Sequence, residues 1–407
     1  MHGTRDEVRP LMAWLRVIHR WVGIVLCAIA AVVALTGGLL LVRGPYERAR
    51  YPALARPMTA YASVDQRIAR QADILAAIEA RFAHDRAGLR TIKFPRPGAS
   101  AWRLYLGDDE EAFVVRNADG PVIGSDDLTV VGRWSWRDNL SAFVFELHAH
   151  LLAHNTGSTI NGIAALLILF LALTGLILWW PRRAGAFRLR RAVPRGASAG
   201  ELLRSHAATG AIASVPILIF AATGAAIIFY TTVAPLLSAA LDARPPAQIS
   251  ARVARDPNVT TLAPPYIWAS RLRRVQDTFP DGELVMINPG RGANAVLTFR
   301  LRLPGEWHPN GRSYVLMSPY DGSIVQTIDA RRQGAGTRLA HALYPMHAAM
   351  FDSVVARVIA LVLAMIASCG LTWLSVGGLA AYLQKLRVTS RVVANAQAAA
   401  LQSRRDA

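Results

Sequence analysis

The sequence predicts a membrane α-helical protein: a four-helix transmembrane bundle made of two parallel repeats, each carrying a small α+β module outside the bilayer. Three observations predict it. Four apolar stretches are long enough to cross a hydrocarbon core, which takes about 20 residues. A shared pattern opens two of them, His19, Gly23, Thr36-Gly37 and then His206, Gly210, Thr223-Gly224 at the same spacing. The composition agrees, with 53% of 407 residues apolar, 18% charged and a mean hydropathy of +0.28.

The spans fall at residues 21–42, 160–180, 207–230 and 358–383. The first has no small-residue cleavage site and reads as a retained signal anchor. Orientation follows from the basic residues. Arg5, Arg9, Arg16 and Arg20 precede span one. Between spans two and three lie Arg182, Arg183, Arg188, Arg190, Arg191, Arg195 and Arg204 against the single acid Glu201, and Lys385, Arg387, Arg391, Arg404 and Arg405 follow span four. These three segments share one side, which the positive-inside rule makes the cytoplasm. The expected location is therefore the bacterial inner membrane, multi-pass, with both termini cytoplasmic. The net charge of +18 reads as topology rather than as a nucleic-acid surface. Cys27 and Cys369 both fall in apolar spans, so no disulfide framework is expected.

The division that follows is 1–43 (tail and span one), 44–135 (outer module one), 136–181 (span two), 182–205 (Arg-rich loop), 206–231 (span three), 232–338 (outer module two), 339–384 (span four) and 385–407 (tail). In module one, residues 64–84 read as an amphipathic helix. Strands are expected at 91–94, 102–106 and 112–116, with a hairpin at Asn117-Ala118-Asp119-Gly120 returning over 121–124. In module two the helix is 266–279 and the strands are 284–287, 295–302 and 313–317. The turn Pro319-Tyr320-Asp321-Gly322 returns over 323–325. Asp108, Asp109, Glu110 and Glu111 read as a solvated hairpin tip.

Seven of the ten histidines lie at span ends. His19 and His206 mark the cytoplasmic ends, His148, His150 and His154 precede span two, and His341 and His347 precede span four. His2, His84 and His308 read as solvated. A membrane-edge histidine commonly caps or snorkels, but a matched pair is costly to keep unless it is paired or liganded. Two imidazoles from facing helices are axial ligands for haem iron, and glycines let a flat ring approach the backbone. His19 with His206 would hold one haem. Aligning spans two and four on Gly175 and Gly370 brings His148 and His347 to within about one helical turn of each other, for a second. His150, His154 and His341 remain alternatives at the outer site. The Thr-Gly pairs lie about 26 Å of helix rise from His19 and His206, which leaves room for one haem per leaflet. They also read as simple helix-packing sites.

His19-Arg20-Trp21-x-Gly23 with Leu35-Thr36-Gly37 resembles the first span of the PepSY-associated transmembrane helix family. Leu147-His148-x3-Leu152 with Thr174-Gly175-Leu176-x2-Trp179 resembles its second, and Ser205-His206-x3-Gly210 and Pro345-Met346-His347 its third and fourth. The outer modules are similar to PepSY domains. The resemblance covers about residues 15–383. It implies a haem b electron-transfer protein with two haems on His19, His206, His148 and His347, of the ferric-siderophore reductase type. The cytoplasmic segments are too short for a flavin domain, so the donor would be quinol or a separate reductase, and the acceptor a ferric siderophore. Arg133, Arg137, Arg331, Arg332 and Arg338 either dock the anionic chelate or snorkel. Competing readings are a membrane-tethered PepSY regulator without redox activity and a histidine-lined metal transporter. The duplicated histidines disfavour the first, and the absence of Asp and Glu from the spans the second.

Overall fold

The structure, a computed structural model, describes residues 4–55, 61–82, 88–95, 99–107, 110–116, 127–180, 191–253, 266–290 and 296–405. The described chain runs α1 (Thr4–Leu41), α2 (Arg43–Arg50), α3 (Val64–Phe82), β1 (Leu89–Lys93), β2 (Trp102–Leu106), β3 (Glu110–Arg116), β4 (Leu128–Ser135), α4 (Leu140–His150), α5 (His154–Trp179) and α6 (Ala199–Ile228). It continues through α7 (Tyr230–Leu241), α8 (Tyr266–Thr278), β5 (Glu283–Asn288), β6 (Leu297–Arg302), β7 (Ser313–Met317), β8 (Ile324–Ile328), α9 (Ala335–His347) and α10 (Val354–Arg405). The chain divides into two compact units. One comprises residues 1–41, 144–229 and 353–407, the other 42–143 and 230–352.

The first unit is a helical bundle, and its four long helices are those long and apolar enough to cross a membrane: α1, α5, α6 and α10. They close into a ring in which α1 and α6 each pack on both α5 and α10. At the centre the contacts are small and aliphatic: Leu26, Ala30, Ala164, Ile168, Ala213, Ile217 and Ala367. Small residues let backbones approach where lipid gives no hydrophobic drive for association. Ser368 donates to the Ala34 carbonyl at 2.7 Å, and a Cβ on Gly38 would lie 2.4 Å from that hydroxyl. Large apolar side chains such as Val25, Ile163, Val215 and Val362 face outward, as a bilayer requires. Ser198 caps α6 by accepting from the Glu201 amide.

The second unit joins the two expected modules in one structure. Its sheet has eight antiparallel strands in the order β4-β3-β2-β1-β5-β6-β7-β8. The halves meet where Ile92 pairs with Ile287 and Lys93 with Met286. Helices α3 and α8 pack together, and one core holds Leu75 and Ile78 with Trp268, Leu272 and Val275 against Leu104, Ile287, Phe299 and Val315. Two separate modules were expected. They fuse because β1 and β5 would otherwise each expose an unpaired edge. The outer strand of the first half is β4, a stretch that carried no strand assignment in the sequence. The hairpin at 117–120 and its return over 121–124 lie outside the described residues, as do Asp108 and Asp109. Glu110 and Glu111 are not at a solvated tip: both lie in β3, where Glu110 pairs with Arg133 and Glu111 sits 3.9 Å from Arg103.

Candidate cofactor-binding site

His19 lies on α1 and His206 on α6, the two helices that face each other diagonally across the ring. Their imidazoles meet there with ring centroids 6.5 Å apart and planes at 88°. The His19 Nδ1 is 2.8 Å from the hydroxyl of Thr174, near the end of α5, and its Cε1 would be 3.3 Å from a Cβ on Gly175. On the other side, Cε1 and Nδ1 of His206 would be 3.2 Å from a Cβ on Gly378 of α10. Its Nδ1 is buried and reaches no hydrogen-bonding side chain. The stem of this site is tied at Ser205, whose hydroxyl accepts from Trp373 Nε1 at 2.9 Å and donates to the Ala192 carbonyl.

At the far end of α1, His148 rests on Thr36-Gly37. Its Nδ1 is 3.0 Å from the Val33 carbonyl and 3.3 Å from the Thr36 hydroxyl, and its Cε1 would be 3.0 Å from a Cβ on Gly37. The α4–α5 turn presents it. Leu151, Leu152 and His154 have φ of 48°, 59° and 48°, and Asn161 donates to the His148 carbonyl at 2.7 Å. The neighbouring histidines are placed differently. His150 Nδ1 pairs with Glu146 at 2.7 Å, while His154 is an exposed residue at the start of α5. His341 and His347 both lie on α9, in the other unit. Burial first, then Arg312 and Arg300, lower the His341 pKa to about 4.

The glycine register differs from the aligned one. Gly378 seats His206, whereas Gly370 packs on Ala213, where an added Cβ would come within 2.5 Å. Nor is His308 solvated. It is 4% exposed, stacks on Tyr344 with centroids 5.3 Å apart, and its Nδ1 accepts from the Asn310 amide at 3.1 Å. His2 and His84 lie outside the described residues, as do Arg182, Arg183, Arg188 and Arg190. Of the arginines offered as a docking surface, Arg133 is matched by Glu110, Arg331 by Asp281 and Asp329, and Arg332 by Asp329. Thr174 was missed as a site residue. The available signal was that span two carries the same Thr-Gly dipeptide as spans one and three.

Among the described residues no three His, Cys, Asp or Glu side chains converge as a metal-ion site. A pair of imidazoles suits a metal that brings its other ligands in a macrocycle. Metal–imidazole bonds of about 2 Å on either side of one metal set the ring centres roughly 6 Å apart, which the His19–His206 spacing matches. The glycine seats beside both rings, at Gly175 and Gly378, fit such a pair. The sequence profile of the PepSY-associated TM region family matches residues 16–388. Comparison with curated proteins finds no match.

Proposed function

The chain belongs to the PepSY-associated TM family, a multi-pass membrane family, and from that premise we propose that it is a haem b electron-transfer protein of the inner membrane. In this reading it has both termini in the cytoplasm and delivers electrons to a ferric siderophore on the outer side. The observation that carries the proposal is the His19–His206 pair, two rings 6.5 Å apart inside the ring of apolar helices.

His19 and His206 are the residues that would hold one haem, and a second would take His148 as one of its ligands. A bound haem supplies one-electron chemistry at its iron. The protein's part is ligation, orientation and exclusion of water. Thr174 and Thr36 fix ring orientation, Gly175, Gly378 and Gly37 leave space beside the rings, and the core around Leu26, Ile168 and Ile217 keeps water and ions out. His19 and Thr36, which seats His148, are separated by about 26 Å of helix rise along α1, a spacing that in this reading gives one haem per leaflet. Quinol or a separate reductase would give one electron, and the ferric chelate would take it. Ferrous iron, a softer cation, then leaves the oxygen chelate.

A reduced-minus-oxidised visible spectrum of purified protein with a haem count tests the reading. A sharp b-type band, two haems per chain, and loss of one haem in His19→Ala and in His206→Ala are expected. Haem-free protein from haem-sufficient cells would overturn it.

A further inference from the structure

We infer that Thr174 and Thr36 are positioning residues that hold His19 and His148 as Nδ1–H tautomers and present Nε2 as the ligand atom. The argument is a proton count. A threonine hydroxyl has one hydrogen. Thr174 Oγ1 lies 2.8 Å from the Phe170 carbonyl and 3.2 Å from that of Leu171, and carbonyls only accept. Its hydrogen is therefore spent within α5, and the 2.8 Å contact to His19 Nδ1 takes its hydrogen from the ring. Thr36 repeats the arrangement, with the Val32 carbonyl at 2.7 Å and that of Val33 at 3.1 Å. His148 Nδ1 is also 3.0 Å from the Val33 carbonyl, which cannot donate, so this ring too carries its proton on Nδ1.

The following glycine completes the device: with no side chain at Gly175 or Gly37, the Cε1 edge of the ring lies against the helix backbone. Thr-Gly is thus a two-residue seat for an imidazole, with a hydroxyl for one nitrogen and clearance for the ring edge. His206 lacks it, since Gly377-Gly378 stand where a Thr-Gly pair would be and its Nδ1 reaches no hydrogen-bonding side chain. The two rings of the inner pair therefore differ in the side chains they rest on. A hydrogen-bonded Nδ1–H makes an imidazole the more basic ligand, which favours ferric over ferrous iron. The ligand part of this inference rests on the haem reading above; the tautomer part does not.

The test uses full-length protein with ¹⁵N-labelled histidine, wild type against Thr174→Val, which keeps the side-chain shape, and Thr174→Ser, which keeps the hydroxyl. Thr174→Ala replaces the valine variant if that one fails to assemble. Without haem, the His19 signals (identified by their loss in His19→Ala) are expected as a single Nδ1–H tautomer in wild type and serine variant, and as a mixture in the valine variant. An identical tautomer in all three overturns the inference. With haem, the midpoint potential of one haem is expected to rise in Thr174→Val and return in Thr174→Ser. An unchanged potential overturns the ligand part. A wild type that takes up no haem overturns both the ligand part and the proposed function, and the haem-free spectra then decide the tautomer part alone.

Discussion

Glu306 accepts three hydrogen bonds at the base of the β6–β7 loop, from the Leu303 amide at 3.0 Å, the Ser313 hydroxyl at 2.6 Å and the Arg312 amide. Burial raises its pKa despite these donors. Removing the carboxylate strands all three, so Glu306→Ala is expected to destabilise the protein by about 3 kcal/mol or more, and Glu306→Gln by less. Thermal unfolding of the purified chain checks both. His308, in the same loop, has its pKa lowered to about 2 by burial first and then by Arg312, Arg300, His341 and Lys93. Its folded form stays neutral while the unfolded chain begins to bind a proton near pH 6.5, so stability falls as pH drops below that value. The unfolding temperature is expected to decline from pH 7 to pH 5, and the decline to flatten in His308→Asn. Equal slopes for the two proteins would assign the decline to other groups.

At the scale of an element, the α4–α5 turn decides where His148 points. Its left-handed residues cost on the order of 1 kcal/mol each. Asn161 offsets part of that by donating to the His148 carbonyl, and Gly157 lets the turn close. Asn161→Ala is expected to destabilise by about 1 to 2 kcal/mol. Gly157→Ala should cost more, since its Cβ would sit 1.6 Å from the His150 carbonyl oxygen, and the turn would have to shift. If the proposed haems are present, both variants are expected to lose one at His148 before one at His19. Haem content per chain, read beside the unfolding temperature, shows whether the two effects separate.

For the whole molecule, the β1–β5 seam makes one folding unit of two sequence segments. Ile92 and Ile287 face each other across it and are 1% and 0% exposed. Each truncation to alanine is expected to cost about 2 to 4 kcal/mol. The double variant should depart from the sum by more than about 0.5 kcal/mol, because the two side chains share one contact. Strict additivity in a double-mutant cycle would mean that the halves are energetically separate. In the bundle, diagonal placement of α1 and α6 converts two histidines far apart in sequence into one pair, at the same end of helices that share an apolar core.

Four spans, the matched histidines, the Thr-Gly pairs and most strands were legible in the sequence, because they rest on local periodicity and composition. Residues 102–106 and 313–317, for example, coincide with β2 and β7. The polar segment around His308 predicts a solvated residue. Its burial comes in part from α9, whose Tyr344 stacks on the ring from well along the chain. The partner of each ring was likewise invisible: Thr174 lies 155 residues from His19, and Gly378 rather than Gly370 reaches His206. The sequence by itself determined which segments are apolar enough to cross a membrane and which carry imidazoles, since hydrophobicity and side-chain chemistry are properties of single residues. Only the tertiary structure decided that two modules share one sheet and which threonine holds which histidine, because both depend on strand edges and helix faces that the chain brings together only on folding.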